Sequence, residues 1–334
     1  MQYALSFCRF TFADLRLKYR PMKEPQHILK LGTRSSNLAT TQSRHVADML
    51  ERKHPGLKVD LIEITTTGDE VRDKPLQSFG GAGVFVKELE NALQARRVDI
   101  AVHSLKDMPT KQPADLVIAA MPEREDPRDV AVVRGNASLK DLPAGSVIGS
   151  GSLRRRAQLK TKYPQLEFAE IRGNVDTRLR KVREGQFAGS ILACAGLKRL
   201  SLLDSGAGEI TFHVLPYTTM LPAPGQGALA IECRSDDLAT RRLLGALHSA
   251  EVEACVEAER VVLEALGGGC HLPLGALGTV EKGLLKLQTF FGLPDASAFV
   301  EVEQEGSPAD PRELGMRVAQ LILSQGGREI LARL

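Results

Sequence analysis

ILKLGTRSSNLATTQSRHVADMLERKHPGLKVDLIEITTT, residues 28–67, reads as strand, helix, strand. ILKLGT is a short apolar run of strand length. Ser36 is a residue type that caps helix N-termini, and Leu38, Val46, Met49 and Leu50 recur on one face of the helix that it would open. Pro55-Gly56 stops that helix after His54, and KVDLIEITTT returns to a β pattern. A strand, an amphipathic helix and a second strand in this order form the repeating unit of α/β architecture.

Outward from this stretch the rhythm continues. VFVKELENALQARR (84–97) predicts a helix and DIAVHS (99–104) a buried strand. A second block alternates DVAVVR, VIGS, the helix LRRRAQLKTKY, EFAEIR, the helix VDTRLRKVREG, the strand SILACA and the helix LKRL. PEREDPRD (122–129) and LPAPGQG (221–227), rich in Pro, Gly or charge, read as hinges. The remainder differs: a helix EVEACVEAERVVLEAL, GGGC, strands around LGTV, LKLQTFF and AFVEVEQ, then a helix after Pro311, which predicts an α+β unit.

At 334 residues the chain exceeds one ordinary domain, and two or three are expected. No apolar run reaches the roughly 18 residues of a membrane helix. Residues 1–21 lack the apolar core and small-residue site of a secretory signal. Residues 1–27 are expected to be a disordered extension, with Met22 as an alternative start, and an organellar presequence is the rival reading that Asp14 weakens. Five cysteines make no disulfide framework and point to a reducing compartment, the cytoplasm. Without CxxC or HExxH, no metal site is expected.

The net charge of +3 conceals a strong asymmetry. Residues 151–200 carry 12 Lys and Arg against 4 Asp and Glu, whereas residues 245–334 carry 7 against 13. In GSGSLRRR (149–156), Ser150, Gly151 and Ser152 precede a helix that opens with Arg154, Arg155 and Arg156. Free N–H groups, hydroxyls and guanidinium forks suit a carboxylate or phosphate, although a solvated basic face has the same composition. Arg172, Arg178 and Arg199 lie near strand ends or helix starts, where ligands gather in open α/β folds. Aromatic residues make up only 4% of the chain and none is interleaved with these arginines, so nucleic acid is disfavoured as the anion.

HSLKDMP (103–109) clusters His103, Lys106 and Asp107 at a strand end, as a catalytic carboxylate site or as a local ion pair. GGGC (267–270) places Cys270 on a loop that three glycines keep free of core packing, beside His271. Cys194, in the apolar ILACA strand, and Cys255, at helical spacing from Val252, read as core thiols.

Taken in order, GTRSSNLA, TTTGDE, FVKELENAL, DIAVHSLKDMP, EREDPRD, GSGSLRRR, IRGNVDTRL, LACAGLKRL, PAPGQGALAIECR and GGGC resemble the hydroxymethylbilane synthase, or porphobilinogen deaminase, family from Ile28 to the C-terminus. The resemblance implies two periplasmic-binding-protein-like α/β domains facing a cleft plus a smaller α+β domain. Domain 1 would comprise 28–122 and 228–245, domain 2 128–221 and domain 3 250–334. It also implies that four porphobilinogen molecules are joined head to tail on a dipyrromethane cofactor, with loss of ammonia and release of the linear tetrapyrrole.

By the same resemblance Cys270 would carry the cofactor as a thioether and Asp107 would be catalytic. Lys106, Ser150, Ser152, Arg154, Arg155 and Arg172 would contact the cofactor; Arg34, Ser36, Arg172, Arg178 and Arg199 would bind substrate carboxylates. A monomer without metal, membrane or nucleic acid is expected. The sequence departs from the family at Ser78 and Ala82, where cleft lysines are expected; Lys74 and Lys87 are nearby substitutes. The rival readings are a non-enzymatic two-lobed anion receptor and an RNA-binding protein using the basic half.

Overall fold

The computed structural model describes residues 27–65, 86–203, 209–269 and 272–334. Its first sheet contains β1 (His27–Thr33), β2 (Leu57–Glu63), β3 (Ile100–Ser104), β4 (Leu116–Ala120) and β10 (Leu229–Arg234), in the order β2-β1-β3-β10-β4. The second contains β5 (Asp129–Arg134), β6 (Val147–Gly149), β7 (Glu167–Ala169), β8 (Gly189–Ala193) and β9 (Ile210–Val214), in the order β7-β6-β8-β5-β9. Each has three parallel strands, a fourth running against them and a fifth antiparallel to the fourth. The chain crosses between the sheets twice, after β4 and after β9. This is the two-lobed α/β arrangement of periplasmic binding proteins.

Helix boundaries follow local chemistry. Helix α1 (Asn37–Lys53) starts where the Ser36 hydroxyl accepts the Ala39 N–H at 3.3 Å, and it ends on His54. Its Val46, Ala47 and Leu50 pack on Leu29, Leu31 and Ile100 of the sheet. Helix α2 (Lys87–Gln94) covers the same lobe. Helices α3 (Leu153–Lys162), α4 (Val175–Arg183) and α5 (Cys194–Arg199) each follow a strand of the second sheet. Two edge strands, β4 and β9, had no counterpart in the sequence reading: LVIAA and ITFHV become strands by pairing with β10 and β5. SILACA is strand only to Ala193, and Cys194 opens α5 instead of lying in the sheet; its N–H bonds the Arg128 carbonyl at 2.9 Å.

Helix α6 (Leu238–Gly245) leads into α7 (Ala250–Ala265). A third sheet, β11 (Leu274–Glu281), β12 (Leu284–Gly292) and β13 (Phe299–Gly306), is wholly antiparallel. Its core joins Val262 and Leu266 of α7 to Leu285, Leu287 and Phe291, with Leu314 and Val318 from α8 (Pro311–Ile322); α9 (Arg328–Leu331) closes the chain.

The two crossing segments lie side by side. The Glu125 N–H donates to the Gly227 carbonyl at 3.3 Å. Gly227 has φ +89°, and a Cβ there would stand 2.2 Å from the Glu125 carbonyl oxygen. Backbone strain and a backbone clash therefore coincide. Gly227→Ala is expected to cost about 2 kcal/mol or more, lowering the thermal midpoint; an unchanged midpoint would show that the segments separate freely.

Candidate active site

Five of the six parallel strands, β1, β3, β6, β7 and β8, are followed at their C-terminal ends by candidate residues. Arg34 and Ser36 follow β1; Lys106 and Asp107 follow β3 on a short 3₁₀ turn, Leu105–Asp107. In the second lobe Ser150 and Ser152 follow β6, Arg172 follows β7, and α5 with Arg199 follows β8. The two sets face each other. Asn37 Nδ2 donates to Asp176 Oδ2 at 3.3 Å, and Leu38 Cδ2 lies 3.6 Å from the position of a Cβ on Gly196.

The basic loop is highly organised. Ser152 caps α3 by accepting the Arg155 N–H at 3.4 Å, and its own N–H donates to Ser150 Oγ at 3.3 Å. Arg154 and Arg155 are buried, and between them sits Asp129, fully buried at the start of β5. Arg154 Nη1 donates to Asp129 Oδ2 at 2.8 Å and to the Leu221 carbonyl at 2.6 Å. Arg155 Nε and Nη2 reach Asp129 Oδ1 at 3.1 and 2.7 Å, while Nη1 bonds the Ile191 carbonyl at 2.8 Å. Burial alone would raise the Asp129 pKa, but the two guanidinium groups hold it well below the usual carboxylate range. A guanidinium has five N–H donors, so Arg155 retains two beyond these bonds.

Around this pair the candidate residues converge. Burial lowers the Lys106 pKa, Asp107 beside it opposes that, and Arg155 and Arg154 add to the depression. Arg178 is pushed down to about 10 by burial and by Arg155, against the pull of Asp107. Lys106, Asp107, Arg154, Arg155, Arg172 and Arg178 thus share one electrostatic environment. Lys106, Arg154 and Arg178, which burial and neighbouring cations make harder to keep charged, favour an incoming polyanion. Asp107 itself is exposed. Arg172 pairs with Glu170, and Arg178 Nε donates to the Gly173 carbonyl at 2.8 Å.

Arg199 is turned towards the hinge: its Nη2 donates to the Gly227 carbonyl at 2.7 Å, and burial lowers its pKa to about 10. Cys270, His271, Lys74, Ser78 and Ala82 lie outside the described residues; Lys87 begins α2 and is exposed. Cys194, Cys233 and Cys255 are buried, and desolvation pushes their thiols up to about 11, 11 and 12, well away from thiolate chemistry.

Several residues that organise the site were absent from the sequence reading. Gln226 Nε2 donates to the Pro127 carbonyl at 2.7 Å and Asp129 Oδ1 at 3.1 Å, while its Oε1 accepts from Lys106 Nζ at 3.4 Å. Its amide thus links the Asp107 turn to the arginine pair through the hinge. Glu259 of α7, fully buried, takes Arg124 Nη1 and Nη2 at 2.7 and 3.1 Å and the N–H groups of Gly225 and Gly278 at 2.7 and 2.8 Å. An inward-facing Glu at i+4 from Cys255 was the signal available for it.

Comparison with known proteins bears on both halves of the chain. Residues 29–242 match the family model described as porphobilinogen deaminase, dipyromethane cofactor binding domain, and residues 253–324 match porphobilinogen deaminase, C-terminal domain. A porphobilinogen deaminase of Acidithiobacillus ferrooxidans is 48% identical over 305 residues, covering 91% of this chain and 97% of that protein. One from Thiobacillus denitrificans is 46% identical, covering 91% and 98%. Among solved structures, the VFT2 domain of Bordetella pertussis BvgS aligns at 15% identity and TM-score 0.40 over 65% of this chain and 85% of that one.

Proposed function

Because this chain belongs to the porphobilinogen deaminase family, we infer that its cleft binds and joins porphobilinogen units through the residues gathered there. The protein is a transferase of tetrapyrrole biosynthesis: it links four porphobilinogen molecules head to tail, expels ammonia at each step and releases linear hydroxymethylbilane. It carries a dipyrromethane cofactor. When bound, that group supplies the pyrrole end to which the next unit is attached.

The observation that carries the site assignment is the surplus of cations around Asp107. Each pyrrole brings an acetate and a propionate, and a growing chain multiplies them. Arg155, Arg172, Arg178 and Lys106 give these carboxylates partners, and burial penalises the lone charges of Lys106 and Arg178. The described residues therefore fit a polycarboxylate group. Arg154 acts at one remove, bracing Asp129 and the Leu221 carbonyl. Arg34 and Ser36 face the second lobe from the first, Ser150 and Ser152 add hydroxyls beside α3, and Arg199 borders the hinge.

Asp107, on its short turn, accepts pyrrole N–H donors and offsets the positive charge that develops as ammonia departs. Lys106 alongside places a positive charge next to that carboxylate. Cys270 is assigned the covalent attachment by the family resemblance of its GGGC motif, and the buried thiols of Cys194, Cys233 and Cys255 are disfavoured as thiolates. The three sheets support the domain division 28–122 with 228–245, 128–221 and 250–334. We also assign the protein a cytoplasmic location and a monomeric state without nucleic-acid or membrane partners; no helix among the described residues is long and apolar enough to cross a membrane.

Intact-mass measurement tests this reading. The purified chain is expected to exceed its calculated mass by one dipyrromethane adduct, absent in Cys270→Ser, and to gain regular increments when porphobilinogen is added. An unmodified mass would remove the assignment of Cys270 and favour the receptor alternative.

A further inference from the structure

We propose that Arg260 is a positioning residue for the reaction: from α7 it orders the turn that carries Lys106 and Asp107 and ties it to the loop that leads to Cys270. The proposal rests on the reading of Asp107 as the catalytic carboxylate. Val252, Val256 and Arg260 recur at i+4 spacing, one stripe of α7. Val252 and Val256 pack in one apolar cluster with Leu105 and Met108, the residues flanking the reactive pair. Arg260 completes the stripe with hydrogen bonds: Nη1 donates to the Leu105 and Met108 carbonyls, both at 3.4 Å, and Nη2 to the Pro109 carbonyl at 2.6 Å.

Of these carbonyls, that of Pro109 also accepts Gln112 Nε2 at 2.8 Å. The Met108 N–H reaches Leu105 O at 3.1 Å, and the Leu105 N–H reaches Ala228 O at 3.1 Å. On another side Gly225 of the hinge lies so close that a Cβ there would be 3.0 Å from Leu105 Cγ and 3.3 Å from the Lys106 nitrogen. The turn is therefore clamped between the hinge and α7, and a planar guanidinium with several N–H donors can serve three carbonyls at once.

The same helix ends in the glycine loop. The Gly268 N–H bonds the Leu263 carbonyl at 2.8 Å, and a Cβ on Gly268 would sit 3.4 Å from Thr110 Oγ1, just past the turn. Helix α7 thus meets the segment 105–110 through Val252, Val256 and Arg260, and the loop after α7 meets it through Gly268. The turn that carries the catalytic carboxylate is thereby tied to α7 and to the start of the loop that follows it.

The test compares Arg260→Gln and Arg260→Lys with wild type, all as full-length protein whose Cys270 adduct is verified by intact mass. Arg260→Gln is expected to retain the adduct and an unchanged KM for porphobilinogen, with kcat lowered about tenfold to a hundredfold. Without substrate, its amides at 105–110 exchange faster with deuterated solvent. Arg260→Lys, which keeps a cationic donor but loses the planar fork, is expected to lie between wild type and Arg260→Gln in kcat and in protection. Wild-type kcat with only a lowered thermal midpoint would overturn the proposal, as would unchanged exchange. If Arg260→Gln does not fold, Arg260→Lys decides: faster exchange with reduced kcat at constant KM supports positioning, and wild-type kcat despite faster exchange overturns it. Asp107→Asn is the control for the underlying reading: if that variant turns over normally, the carboxylate assignment fails, whereas the exchange data still decide whether Arg260 orders the turn.

Discussion

Asp107→Asn should lower turnover by at least about a hundredfold while the protein stays folded and Cys270 keeps its adduct. Asparagine preserves the size of the side chain and its ability to accept one N–H bond, but it carries no negative charge and takes up no proton. The loss therefore falls on steps in which positive charge develops, and KM for porphobilinogen changes little because the arginines still hold the carboxylates. Asp107 is exposed on a short turn, so the thermal midpoint is expected to move little. Asp107→Glu should also be slow, since one added methylene displaces the carboxylate. Product release at the wild-type rate in Asp107→Asn, followed beside the masses of the elongation intermediates, would assign the chemistry to another group.

Replacement of Asp129 is expected to have the largest structural effect. Arg154 and Arg155 are both buried against this carboxylate, and Gln226 donates to it from the hinge. Asp129→Ala strands two buried guanidinium groups, at a cost of about 3–5 kcal/mol. It also frees Arg155 to turn, so the substrate's apparent affinity drops as well. The pH dependence has a defined sign. The Asp129 pKa is depressed in the folded protein, so its contribution is complete above the unfolded value of about 3.9 and is lost as the pH falls from there towards the folded value. Thermal midpoints of wild type and Asp129→Asn should differ widely at neutral pH and converge in strong acid. Equal midpoints at neutral pH would mean that the arginines find other partners.

What the sequence revealed and what it withheld follow from distance along the chain. Ser36, Pro55 and Gly56 are local signals, and α1 starts and stops where they dictate. The hinges PEREDPRD and LPAPGQG were legible from Pro, Gly and charge alone. β4 and β9 were not, because a five-residue edge strand is defined by the strand beside it. At the site, Asp107, Lys106 and the arginines could be picked out by motif order, but their mutual arrangement could not. Arg154 and Arg155 looked equally available to a ligand; the structure commits much of both to Asp129, which in the sequence is only the polar first residue of an apolar run. Gln226, Glu259 and Arg260 act on residues far away in the chain, and a single sequence carries no record of such pairs.

The strand order has a consequence for biosynthesis at the ribosome. Among the described residues β4 pairs only with β10, so the sheet begun by β1 lacks its fourth member until residues 229–234 have emerged. The β5–β9 sheet, by contrast, is complete within residues 129–214. Nascent chains that stop short of residue 229 therefore hold a finished second sheet and an open first one, with Leu116–Ala120 unpaired and its apolar residues available for wrong partners. The N-terminal lobe is therefore closed after the second, and vectorial synthesis leaves it, not its successor, as the lobe more dependent on chaperone protection.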